Sequence, residues 1–140
     1  MPHLVILYTR DLDRPVSEGG SDMTALCRAL ADTMLACRDE AGQEVFPTGG
    51  VRVLAYPAAH AAVSDGSGDH GFVYFNLRMG RGRSAATHKT AGNALAAAAR
   101  AHFAPLLERR HLGLTLQIDE GQEVYDAKFG NLHPLFATKD

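Results

Sequence analysis

GFVYFNLRMGRGRSAATHKTAGNALAAAARAHFAPLLERRHLGLTLQI, residues 71–118, is the stretch that decides the fold. Its first nine residues are rich in β-branched and aromatic side chains and end at a Gly-Arg turn, so residues 71–79 read as a strand. The following stretch, 84 to about 108, is long and alanine-rich and reads as a helix, and residues 112–118 read as a second strand. Two parallel strands joined by a helix need a crossover of a dozen or more residues, which this spacing supplies. The alanine block 94–99, interrupted only by Leu95, lets the helix approach a sheet closely. Pro105 lies inside the helix and is expected to kink it, or to end it near His102.

Upstream the same order appears. Residues 3–8, HLVILY, are a short apolar run typical of a buried strand. From 22 to about 40, Met23, Leu26, Cys27, Leu30, Met34 and Cys37 fall on one helix face, with Ser21 as the expected N-cap and Gly42 as the expected stop. Residues 51–56 alternate as a strand, and a Gly- and Ser-containing loop, 57–70, follows. Two β-α-β units of about 55 residues each therefore predict an α+β domain: a four-stranded sheet covered on one side by two helices. The expected organisation is one domain, with repeat one over 2–56, a linker at 57–70, repeat two over 71–119 and a tail over 120–140. The tail carries Phe129, Leu132, Leu135 and Phe136 and should dock on its own core or on a neighbouring subunit.

The chain has 140 residues, 46% hydrophobic and 21% charged, with a net charge of −2. This is an ordinary composition for one globular domain, with no basic footprint for nucleic acid and no stretch long enough to span a membrane. A chain of this length buries a sufficient core without a metal or cofactor. Cys27 and Cys37 lie too far apart on one helix to bridge, and no signal peptide is recognisable, which points to a reducing cytoplasm. The 14 basic residues are 11 arginines and three lysines, a bias toward the planar fork that grips carboxylates.

Several residues are candidates for chemistry. If Met1 is trimmed, Pro2 presents a secondary amine at the open end of a buried strand; an apolar pocket and nearby arginines would lower its pKa toward that of a working base. The alternative is that Pro2 merely starts the strand. Gly80-Arg81-Gly82-Arg83-Ser84-Ala85 formally matches the dinucleotide pattern G-x-G-x-x-A, but the chain has too few parallel strands for that fold. What remains is a glycine turn at a helix N-terminus where Arg83 could help hold a small anion, or simply a tight turn with solvated arginines. Arg52 and Arg78, each inside a strand, either face solvent or pair with a carboxylate. The seven histidines show no metal-ligand spacing, and no nucleophile elbow is present.

Met1-Pro2-His3 opening a strand, Phe46-Pro47 followed by Gly50-Val51-Arg52, the block Leu77-Arg78-Met79-Gly80-Arg81-Gly82-Arg83-Ser84, and Asn131-Leu132-His133-Pro134-Leu135-Phe136 occur in that order along almost the whole chain. In these features the sequence resembles the tautomerase superfamily and, within it, the 5-carboxymethyl-2-hydroxymuconate Δ-isomerases. The resemblance implies a homotrimer of pseudo-duplicated β-α-β subunits with a mixed sheet, without a cofactor. It further implies Pro2 as catalytic base, Arg52 and Arg83 as carboxylate-binding or electrophilic groups, and Arg78 and Arg81 as further substrate-binding candidates. The implied reaction moves a proton on a small carboxylated 2-hydroxydienoate in homoprotocatechuate degradation. A different enol or unsaturated acid, or a non-catalytic trimeric binding protein, are the alternatives. Residues 9–21 and 39–44 look longer than the family pattern, Pro105 interrupts the second helix, and Arg81 adds a charge beside Arg83.

Overall fold

The computed structural model describes residues 2–137; Met1 and residues 138–140 of the expected tail lie outside the described residues. Six main elements follow in chain order: β1 His3–Thr9, α1 Met23–Ala36, β2 Arg52–Ala58, β3 Gly71–Met79, α2 Ala85–Leu107 and β4 Leu112–Glu120. The sheet order is β2-β1-β3-β4. β1 runs parallel to β2 and β3 parallel to β4, while β1 and β3 meet antiparallel in the middle. Each β-α-β half thus contributes one parallel pair, and the halves join through their first strands.

Alternation along the central strands builds the core. Leu4, Ile6 and Tyr8 of β1 and Val73, Phe75, Leu77 and Met79 of β3 point to the helices and are buried. They meet Leu26, Leu30 and Met34 of α1 and Leu95, Ala99 and Phe103 of α2. Burying a side chain of Leu or Phe size stabilises by roughly 1.5–3 kcal/mol, so this layer is the main source of fold stability. On the opposite face of the sheet, Leu7, Leu54, Tyr56 and Phe72 remain 38–51% exposed, and Leu7 stands beside Tyr56 in the register.

Three local expectations are corrected. Asp22, not Ser21, caps α1, its Oδ1 accepting from the backbone N–H of Ala25 at 2.9 Å. Ser21 is engaged elsewhere, its Oγ lying 2.7 Å from Nε2 of His102 on α2. Helix α1 stops at Ala36 rather than near Glu40, with Cys37 extended at its C-cap. The cause is a competing loop: the Asp39 carboxylate accepts from the N–H groups of Ala41 and Gln43, and Val45 N–H returns to the Cys37 carbonyl. Gly42, at φ +77°, turns this loop and does not end the helix. Finally, α2 does not end near His102 but passes through Pro105 to Leu107, where buried Phe103 and Leu106 anchor its last turns to the core.

The tail docks at two places. Gly121 N–H donates to the Met79 carbonyl at 2.8 Å, and a 3-10 turn, His133–Phe136, packs on another, Thr48–Gly50, just before β2. Between them Val124, Tyr125 and Phe129 are 82–104% exposed. The contact of the two turns is tight enough to require glycine: a Cβ on Gly49 would sit 2.7 Å from His133 Cα.

Candidate active site

At one end of the sheet the start of β1, the turn before β2, the β3–α2 connection and the tail converge. They enclose a cavity of about 790 Å³, lined by Pro2, Phe46, Pro47, Gly49, Arg52, Gly80 and Arg83 from the body and by residues 128–134 from the tail. Pro2, Arg52 and Arg83 are therefore brought together from three separate elements. Pro2 is buried, at the entry to β1.

The two arginines are held by backbone carbonyls. Arg52, the first residue of β2, donates through Nη1 to the carbonyls of Gly49 at 2.7 Å and Val51 at 3.0 Å. It is half-buried, and among the described residues no carboxylate pairs with it. Arg83 stands just before the N-cap Ser84 of α2 and donates through Nη2 to the Val45 carbonyl at 2.6 Å. Among the described residues neither guanidinium has a carboxylate within ion-pair distance, whereas Arg14, Arg28, Arg78 and Arg110 each do. Carbonyl partners fix the fork without neutralising it, leaving a positive, preorganised wall suited to carboxylates.

Gly82, at φ +103°, adopts a conformation that side-chain-bearing residues avoid, so the Gly-Arg-Gly-Arg sequence is a turn that delivers Arg83 to the cavity. Two other sequence candidates do not reach it. Arg78 lies on the outer sheet face, because its β3 neighbours Leu77 and Met79 take the inward positions; its Nε is 3.6 Å from Glu123 Oε1. Arg81 turns toward the tail and donates through Nε to the Gly121 carbonyl at 2.9 Å. Arg81 thus anchors the tail, and neither residue lines the cavity.

The surroundings of His3, at this end of the sheet, disfavour its protonated form. His3 sits beside Arg52 on one neighbouring strand and Arg78 on the other. Its pKa is lowered, first by desolvation and then by surrounding positive charge that includes both arginines, with Asp126 opposing.

The sequence reading missed the tail's share of the site. Lys128, Phe129, Asn131 and His133 all line the cavity; the sequence offered the tail's apolar character and the Asn131–Phe136 family motif, but gave neither a part in the site. No group of three or more His, Cys, Asp or Glu residues among the described ones could hold a metal ion. No helix of the described residues is long and apolar enough to cross a membrane.

Known proteins share both the sequence and the geometry. A family model described as 5-carboxymethyl-2-hydroxymuconate isomerase matches residues 2–136. The 5-carboxymethyl-2-hydroxymuconate Delta-isomerase of Escherichia coli is 33% identical over 136 residues, 97% of this chain and 99% of that protein. A crystal structure of a 5-carboxymethyl-2-hydroxymuconate delta-isomerase superposes with a TM-score of 0.92 at 60% identity, covering 100% of this chain and 95% of that one. A 5-carboxymethyl-2-hydroxymuconate isomerase from Deinococcus radiodurans R1 superposes at 0.82 with 33% identity, over 98% of this chain and 95% of the other. With the model spanning nearly every residue and the relatives matched end to end, the chain belongs to the 5-carboxymethyl-2-hydroxymuconate isomerase family.

Proposed function

We propose that this protein isomerises 5-carboxymethyl-2-hydroxymuconate, a carboxylated 2-hydroxydienoate, with the Pro2 amine as general base and Arg52 and Arg83 as the groups that hold its carboxylates and developing charge. The observation that carries this reading is that both arginines line one cavity with Pro2, braced by carbonyls and without carboxylate partners among the described residues. Once Met1 is removed, Pro2 nitrogen is a secondary amine. It takes the proton of the 2-hydroxyl; the electron pair moves through the conjugated system as the 2-oxo group forms, and the proton is returned to a distant carbon. Substrate and product are isomers, so the step calls for no oxidant or cofactor. Negative charge spreads over the dienolate in between, where fixed cationic forks are most effective. Burial of Pro2 and the cationic Arg52 and Arg83 lining the same cavity would both disfavour the protonated amine.

We propose further that the working form is a homotrimer. The apolar outer sheet face carrying Leu7, Leu54, Tyr56 and Phe72, and the exposed tail residues Val124, Tyr125 and Phe129, are surfaces that other copies of the chain would cover. Light scattering of the purified protein tests this. A role in homoprotocatechuate degradation in the cytoplasm fits the substrate and the free thiols of Cys27 and Cys37. The test of function is an ultraviolet assay of the purified protein on 5-carboxymethyl-2-hydroxymuconate beside phenylpyruvate enol and an unsaturated haloacid. Turnover of the first at a kcat/KM far above the others supports the reading, and turnover of another alone refutes it.

A further inference from the structure

Residues 37–45 form a loop that no step of the proposed chemistry uses. The loop is braced from within: the backbones of Arg38 and Glu44 pair as an isolated antiparallel β-bridge, Asp39 N–H donates to the Gln43 carbonyl at 2.9 Å, and Val45 N–H donates to the Cys37 carbonyl at 3.2 Å. Two groups leave it toward the β3–α2 connection. The Val45 carbonyl accepts from Arg83 Nη2 at 2.6 Å. Glu40 Oε1 accepts from the hydroxyls of Ser84 at 2.6 Å and Thr87 at 2.7 Å.

Ser84 is the N-cap of α2 and Thr87 its third residue, and Ser84 Oγ accepts in turn from Thr87 N–H at 3.1 Å. In a capping box the third helical position would carry the carboxylate itself. Here that position is a buried threonine, and the carboxylate at the positive end of α2 arrives from Glu40 more than 40 residues earlier. Glu40 therefore ties the loop to the residue directly after Arg83, while Val45 in the same loop holds the guanidinium. The two struts fix both ends of one arginine: its backbone through Ser84 and its fork through Val45.

Resting on the reading of Arg83 given above, we propose that Glu40 is a positioning residue for Arg83, setting the direction in which its free N–H groups face the cavity. Glu40 is exposed and touches no cavity-lining atom named above, so its effect on catalysis passes through Arg83. A displacement of the fork on the order of 1 Å is enough to weaken a preorganised contact by an order of magnitude or more.

A double-mutant cycle on the purified enzyme with 5-carboxymethyl-2-hydroxymuconate tests this. Glu40→Ala is expected to lower kcat/KM about tenfold in the wild-type background and by less than about twofold in the Arg83→Ala background. Glu40→Gln, which keeps the shape and one acceptor oxygen, is expected to stay within about threefold of wild type and covers the case in which Glu40→Ala frays α2. Equal losses from Glu40→Ala in both backgrounds, or no loss in either while Arg83→Ala is strongly impaired, would overturn the positioning role and leave the site reading intact. An Arg83→Ala enzyme with unimpaired kcat/KM would instead overturn the site reading, and this inference with it.

Discussion

Arg83 reaches from the turn before α2 to the carbonyl of Val45, 38 residues earlier, and its Nη2 donates there at 2.6 Å. One edge of the guanidinium is thereby spent on positioning, and the remaining N–H groups are available to an anion. Lysine cannot divide its donors this way, because an ammonium is a point charge on a flexible stem. Arg83→Ala is expected to lower kcat/KM by about 10²-fold or more, and Arg83→Lys to restore at most about a tenth of the wild-type value. Steady-state kinetics on the dicarboxylated dienol measure both.

Arg78 supplies the contrasting case. Its pair with Glu123 is long, at 3.6 Å, and half exposed, so it contributes little. Arg78→Ala should leave kcat/KM within about twofold of wild type and stability within about 0.5 kcal/mol, by the same kinetics and by urea titration. A large kinetic loss would show that the outer sheet face takes part in the site.

The contact between Gly49 and His133 makes the tail part of the cavity wall. Gly49→Ala places a methyl 2.7 Å from His133 Cα, so the tail turn must move. The expected outcome is a loss of about 1–3 kcal/mol in urea unfolding together with a raised KM, since His133 and its neighbours line the site. Unchanged KM would mean that the tail does not shape binding.

His102 gives the fold a pH dependence. Burial lowers its pKa below 6.5, opposed only weakly by Asp22. The unfolded chain therefore binds this proton more readily than the native one. The stability associated with neutral His102 is fully present above the unfolded value near 6.5 and is lost as pH falls through the lower native value. Urea unfolding between pH 7.5 and 5 should show this decline, and His102→Gln should flatten it.

Strong periodicity made β1, β3 and α2 legible, because their alternating or helical apolar faces are the ones that became the core. The ends of α1 were not legible. Ser21 and Asp22 are both good caps, and the choice between them is made by His102, 81 residues away from Ser21. The stop at Cys37 depends on how Asp39 folds the following loop, a competition that the apolar pattern through Cys37 conceals. The site divided in the same way. The family motif picked out Pro2, Arg52 and Arg83, yet in the local sequence Arg78 and Arg81 look equally suited. What separates them is the group each meets: for Arg52 the nearby Gly49 carbonyl and for Arg83 the Val45 carbonyl beside cavity-lining Phe46, or Glu123 and the Gly121 carbonyl away from the cavity. Lys128 enters only through the fold of the tail, and His133, though part of the Asn131–Phe136 motif, is shown to reach the cavity only by that fold.

The account depends most on Pro2 nitrogen being an amine, and the intact mass of a preparation whose activity is known tests that directly. Fully active enzyme is predicted to lack the initiator methionine, with activity rising in proportion to the trimmed fraction. Full activity in a preparation that retains Met1 would contradict the assignment of Pro2 as the base, because its nitrogen would then be an amide with no lone pair available for proton transfer.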